Sequence, residues 1–322
     1  MSTIKNYLSL VKFSHTIFAM PFAMIGFFLG VEHQPFNRSV MRGQWNLNRT
    51  VGWGWDQPHI PGAHSGIWIS YLPLLLLVVL CMIFARSAAM AFNRYLDRHF
   101  DEKNPRTAIR EIPRGIISAG SALRFTIFSC LLFLITCFFI NRICLLLAPV
   151  ALFVILFYSY TKRFTPLCHL VLGLGLSLAP IGAYLAVTGA FALLPILFSL
   201  AVIFWVSGFD IIYAMQDVDF DKSLNLYSMP AWLGKGRALQ FSSFLHLLSA
   251  ACVVAAGGLG GFGGWYWIGV LLFCGMLVYQ HAIVRPHDLS RVNIAFMTAN
   301  GIASVVFSLF VITDLFLRHV QG

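Results

Sequence analysis

Arg86-Ser-Ala-Ala-Met-Ala-Phe-Asn93-Arg94-Tyr-Leu-Asp97-Arg98-His-Phe-Asp101 runs directly off the long apolar segment 69–85. On a helix, Asn93, Asp97 and Asp101 stand i, i+4 and i+8, so an amide and two carboxylates share one face. Two like charges one turn apart repel, and a divalent cation is the usual remedy. Hard oxygen donors suit Mg²⁺. The layout returns in Asp210-Ile-Ile-Tyr213-Ala-Met-Gln-Asp217-Val-Asp219-Phe-Asp221, where Tyr213, Asp217 and Asp221 repeat the spacing and Asp210 lies one turn further back. Asp219 falls off that face and reads as a solvated rim.

The surrounding composition is that of a membrane protein. The 322 residues are 59% hydrophobic and 11% charged, with mean hydropathy +0.79. Nine segments reach the ~20 apolar residues that a span needs: roughly 14–31, 69–95, 121–140, 143–160, 167–187, 191–216, 238–257, 264–284 and 292–316. The fold expected is all-α: a single nine-helix transmembrane domain over 1–322. Only Asn141-Arg142 separates the third and fourth segments, which implies a tight hairpin.

With the N-terminus in the cytoplasm, sixteen of the 22 Lys and Arg fall on the cytoplasmic side, five outside, and Arg86 within the bilayer. The net charge of +10 therefore reads as topology rather than nucleic-acid binding. Both acidic clusters follow even-numbered spans and so face the cytoplasm together. No cleavable signal or Arg-rich leader opens the sequence, which favours a bacterial inner membrane. Residues 32–68, rich in Trp, Pro and Gly, read as a long external loop. The seven cysteines are scattered singly and suggest neither disulfides nor a zinc site.

Beyond the first cluster, Pro105 and Pro113 break the helix and leave a basic loop bearing Arg106, Arg110 and Arg114. Acids that hold a cation beside guanidiniums that fork onto phosphate oxygens describe a metal–diphosphate site. Lys162-Arg163 adds charge on the same side or serves as a topology anchor. Arg86 lies seven residues before Asn93, two turns deeper in the membrane. Inserting a guanidinium there costs ~2.5–3.5 kcal/mol, so a functional anion is its expected partner. That partner is either a substrate carboxylate or a protein carboxylate such as Asp210. Histidines 15, 169, 246, 281 and 287 are spread singly and read as packed or hydrogen-bonded residues; His15 and His169 are weak pocket-lining candidates.

Asn93-Arg-x-x-Asp97-x-x-x-Asp101 with Asn104-Pro-Arg-Thr, and Asp210-x-x-Tyr213-Ala-x-Gln-Asp217-x-x-x-Asp221, resemble the two motifs of the UbiA superfamily of intramembrane prenyltransferases. The resemblance runs from Lys12-Phe-Ser-His to Asp288-Leu-Ser-Arg-Val-Asn. It is greatest to the 4-hydroxybenzoate polyprenyltransferases and their relatives in the futalosine route to menaquinone. It implies Mg²⁺ on Asn93, Asp97 and Asp101, and on Asp217 and Asp221, bridging the diphosphate of a polyprenyl donor. It places Arg106, Arg110 and Lys162 on that diphosphate and Arg86 on the carboxylate of an aromatic acid acceptor. Asp210 and Tyr213 would line the cavity between them, with Asp210 holding the acceptor hydroxyl or taking the ring proton. The 32–68 loop is longer than usual in the family, and Asn225 replaces a glycine common after the second motif. The competing reading is a secondary transporter, which would place its charges nearer the bilayer midplane. Oligomeric state is not readable.

Overall fold

The structure, a computed structural model, describes residues 3–11, 18–33 and 71–321. A short helix α1 (Thr3–Leu10) precedes α2 (Met20–His33). The remaining long helices are α3 (Leu72–Leu96), α5 (Ala119–Ile140), α6 (Arg142–Thr161), α7 (Cys168–Thr188), α8 (Leu193–Ala214), α11 (Lys235–Leu259), α12 (Gly264–Ile283) and α13 (Asn300–Gln321). Between them lie the short helices α4 (Arg98–Lys103), α9 (Val218–Ser223) and α10 (Met229–Leu233). The described residues form no β-strand beyond one isolated bridge, Arg285 to Asp288.

Among the described residues, eight helices are long and apolar enough to cross a membrane, and the chain is a multi-pass membrane protein. The sequence predicts nine. The difference is the first segment: α2 has 14 residues, about 21 Å at 1.5 Å per residue, short of the ~30 Å hydrocarbon core. The start of that segment, the external loop from residue 34 onward, and His15 lie outside the described residues. Glu32 and His33 belong to α2 rather than to the loop.

Packing follows the sequence. Helix α2 lies against α7 and α13, α3 against α5 and α6, α7 against α8, and α8 against α11; α12 and α13 close the ring. The most buried helix is α8, whose Phe198, Val202, Trp205, Val206 and Phe209 join Phe22, Phe273 and Phe307 in the main core. The hairpin expected at Asn141 is present. That single extended residue ends α5 and starts α6, its side chain accepts from the Cys144 N–H, and its amide donates to the Leu185 and Ala186 carbonyls. The Asn141 side chain thereby satisfies one of the N–H groups that the start of α6 leaves without a helical partner.

Two further devices hold the bundle where the membrane offers no hydrogen bonds. Asp314, on α13, accepts from the Gly263 and Tyr266 N–H groups and so caps the start of α12. The last span begins as a π-helical turn (Ile294–Ala299), whose Ala295 and Phe296 carbonyls are taken by the Asn300 amide. Asn300 in turn accepts from Trp205 and Gln280, tying α8, α12 and α13 together.

Helices α2 and α7 touch at Gly26, where an added Cβ would stand 2.0 Å from the Pro180 carbonyl oxygen. A helix–helix approach this close requires a residue without a side chain. Gly26→Ala is expected to destabilise the protein by about 1–3 kcal/mol, read as a lower Tm in detergent. Gly182→Ala, which would meet nothing within 4 Å, is expected to leave Tm unchanged.

Candidate diphosphate and metal site

Each acidic motif sits where a long helix changes course. Helix α3 ends at Leu96 and α4 begins at Arg98; Asp97, between them, has φ −89° and ψ 5°. Helix α8 ends at Ala214, a 3₁₀ turn covers Met215–Asp217, and Asp217 has φ −105° and ψ 8° before α9. Both residues occupy the same sparsely used bridge region, which recurs at active sites. The i, i+4, i+8 spacing therefore lies on interrupted helices rather than on the one continuous face the sequence suggests. The interruption leaves the carboxylates of both motifs at one end of the bundle.

They meet in a cavity of about 170 Å³ lined by Asn93, Asp97, Asp101, Asp210, Tyr213 and Asp217, together with Arg106, Arg110, Lys162 and Arg163. Every acid of the cluster is engaged by a base. Arg163 Nη2 reaches Asp97 at 2.9 Å, and the Asn93 amide donates to the other Asp97 oxygen at 3.0 Å. Arg110 meets Asp101 at 2.6 Å, with the buried Arg94 4.0 Å from that carboxylate's second oxygen. Arg106 forks onto Asp217, donates to the Tyr213 hydroxyl at 2.7 Å, and lies over the Tyr213 ring. Lys162 pairs with Asp221 at 2.7 Å. Burial disfavours the charged form of Lys162, but the Asp221 carboxylate outweighs it and lifts the ammonium above its ordinary range. Burial also raises Asp97, only partly offset by Arg163.

The residues anticipated from sequence take four different positions. Asn93, Asp97, Asp101, Arg106, Arg110, Lys162, Asp210, Tyr213 and Asp217 come together in the cavity. Asp221 does not line it. That carboxylate is completely buried, held by Lys162 and by the Ser228 hydroxyl at 2.8 Å. Arg86 lies on α3 below the cavity without lining it, and Asp210 bonds His169 Nδ1 at 2.6 Å rather than Arg86. Asp219 is exposed, as its off-face position implies.

His169, a weak pocket-lining candidate in the sequence, does line the cavity, and Arg163 and Asn104 join it. For Arg163 the available signal is its adjacency to Lys162, and for Asn104 the Asn-Pro-Arg turn that places its amide 3.4 Å from Asp217. Asn225 explains the departure noted in the loop after the second motif. Its φ is +53°, the left-handed region that glycine favours, and asparagine is the side chain best able to stand in there.

The donor set fits a divalent cation. Asp97, Asp101 and Asp217 offer carboxylate oxygens to one cavity, and Asp101 Oδ2 is buried without a hydrogen bond. Among the described residues, no three His, Cys, Asp or Glu side chains converge as a self-sufficient metal cage. Mg²⁺ rarely uses such a cage; one or two carboxylates, substrate phosphate and water complete its shell.

Comparison with known proteins agrees with this geometry. The UbiA prenyltransferase family matches residues 62–302. A 4-hydroxybenzoate octaprenyltransferase of Aeromonas salmonicida (strain A449) is 31% identical over 233 residues, covering 72% of this chain and 80% of its own. The apo structure of a UbiA homolog from Aeropyrum pernix K1 superposes with a TM-score of 0.72 at 26% identity, covering 95% of this chain and 98% of that one. A UbiA homolog from Archaeoglobus fulgidus bound to DMAPP and Mg²⁺ shares the fold (TM-score 0.70, 20% identity, 97% and 99% covered). With the family match spanning most of its length, and both acidic motifs inside it, the chain belongs to the UbiA prenyltransferase family.

Proposed function

We propose that this protein is a Mg²⁺-dependent aromatic prenyltransferase. It moves a polyprenyl group from polyprenyl diphosphate to an aromatic carboxylic acid of the 4-hydroxybenzoate type, in quinone biosynthesis. The observation that carries the reading is one cavity in which two acidic motifs and four basic side chains meet at a single end of a transmembrane bundle. The similarity to an octaprenyltransferase named for 4-hydroxybenzoate supports the acceptor class, and the Archaeoglobus homolog's DMAPP and Mg²⁺ support the donor and the metal.

Asn93, Asp97 and Asp101 would hold one Mg²⁺ and Asp217, with Asp221, the other; bound there, the metal neutralises charge on the departing diphosphate. To hold the cation, Asp221 would give up Lys162, whose ammonium occupies its carboxylate. The same exchange runs through the site. Asp97, Asp101 and Asp217 would give up Arg163, Arg110 and Arg106 on binding a cation, and each guanidinium so released would be a planar donor matched to phosphate. These charges stabilise the leaving group as the allylic C–O bond ionises. The ring of Tyr213, stacked on Phe296 at 4.1 Å between centroids, supplies an aromatic wall where charge separates. Arg86, deeper on α3, is the candidate for the acceptor carboxylate. The apolar chain of the donor extends between helices toward lipid, where no water quenches the reaction.

We place the protein in a bacterial cytoplasmic membrane with the cavity and the N-terminus on the cytoplasmic side. Residues 14–31 then supply a ninth span, and sixteen Lys and Arg fall inside against five outside.

Purified protein with Mg²⁺, geranyl diphosphate and 4-hydroxybenzoate is expected to form prenylated benzoate, and EDTA to stop it. Asp97→Asn and Asp217→Asn should each lower kcat by at least ~100-fold while Tm is retained; near-normal turnover in either would refute the metal–diphosphate assignment. Arg86→Ala should raise the acceptor KM by ~30-fold or more, the scale of losing a desolvated ion pair, with donor KM unchanged. An unaltered acceptor KM would return Arg86 to a structural role.

A further inference from the structure

His169 is buried, 3% exposed, yet it reaches the cavity, and both of its ring nitrogens are engaged. Nδ1 stands 2.6 Å from Asp210 Oδ2. Nε2 receives the backbone N–H of Met229 at 3.3 Å. A backbone N–H can only donate, so Nε2 is the acceptor nitrogen and the ring proton resides on Nδ1. His169 is therefore a neutral imidazole that donates to the Asp210 carboxylate.

This tautomer is enforced from the second acidic motif. Met229 opens α10, and the residue before it, Ser228, caps that helix while its hydroxyl holds Asp221. The loop between Asp221 and Ser228 closes through the left-handed Asn225 and the Leu226 N–H bond to the Asp221 carbonyl. On the other side, the Ser207 hydroxyl donates to the His169 carbonyl. Asp210 and His169 thus lie in a rigid frame shared with the diphosphate-facing acids. Asp210 is one turn from Tyr213 on α8, which ends three residues before Asp217.

We propose that His169 is a positioning residue that holds Asp210 as the oriented carboxylate taking the acceptor's ring proton. This rests on the prenyltransferase reading above. When the allylic C–O bond breaks, its electron pair leaves with the diphosphate. The acceptor's ring electrons then form the new C–C bond, leaving a cationic ring whose substituted carbon still carries hydrogen. That C–H pair returns to the ring as the proton passes to Asp210. Oδ2 is occupied by the His169 proton, so Oδ1 is the receiving atom. His169 stays neutral throughout and changes no charge.

The test compares His169→Ala and His169→Asn using ring-deuterated and protiated 4-hydroxybenzoate. The asparagine amide can place a donor near the Nδ1 position, whereas alanine removes it. The proposal expects His169→Ala to lose about 100-fold in kcat, the scale of an oriented general base, with donor KM within about twofold. It also expects ring deuteration to slow the alanine variant but not the wild type, since proton loss has become rate-limiting. His169→Asn should recover most of the rate and lose the isotope effect. Equal impairment of both variants without an isotope effect, at native Tm, would reduce His169 to a packing role and overturn the proposal. So would an alanine variant as fast as the wild type. Wild-type protein that forms no prenylated benzoate would instead contradict the function itself.

Discussion

Five carboxylates, four cationic side chains and the imidazole of His169 are gathered at one end of the bundle. Four of the acids are paired with cations, Asp97 with Arg163, Asp101 with Arg110, Asp217 with Arg106 and Asp221 with Lys162, and Asp210 accepts a hydrogen bond from His169. Removing charges from water is costly, and an uncompensated buried carboxylate costs several kcal/mol. Pairing is therefore the condition under which such a cluster can sit in a membrane protein at all. The partners come from five separate stretches of chain: the α3–α4 junction, the 104–118 loop, the end of α6, the start of α7, and α8 with its extension. The site consequently exists only when the whole bundle is assembled.

In the proposed function the same pairing would make the site responsive to its ligands. A carboxylate held by a guanidinium satisfies the fold, but both partners have a stronger alternative: the acid a divalent cation, the base a phosphate. Under the proposed function, metal and diphosphate would exchange the four Arg and Lys ion pairs for charge-matched contacts and leave the His169–Asp210 hydrogen bond in place. The helix breaks at Asp97 and Asp217 serve this arrangement, because a continuous helix would carry the second acid of each motif onward along its axis. The π-helical entry to the last span acts on the apolar side, where Phe296 is seated against Tyr213, Phe18 and Phe209 beneath the charged cavity.

Much of this is legible from residue spacing. The motif acids, the basic loop, the Asn141 hairpin and the all-helical membrane architecture all follow from local pattern, and local pattern is what periodicity reports. What escapes are matters of tertiary partnership. Arg163 and Lys162 look alike in sequence, yet one binds Asp97 and the other Asp221. Asp221 has the spacing of a ligand but is turned into the protein by Ser228, and only the fold of the loop reveals it. His169, a solitary histidine near the start of a span, acquires meaning from Asp210, 41 residues away. The break at Asp97 carries no proline or glycine to announce it. The short α2 is likewise invisible to hydropathy, which registers apolar length and not where a helix begins.

On the proposed function the two motifs form one cation-assisted diphosphate site. It is tested most directly by counting Mn²⁺ bound per chain, by electron paramagnetic resonance, with an unreactive geranyl thiolodiphosphate present. The account predicts two tightly bound Mn²⁺ whose spectra show magnetic coupling, and a loss of that coupling when either Asp101 or Asp217 is replaced by asparagine. No tightly bound Mn²⁺, or two ions without coupling and indifferent to both substitutions, would contradict it.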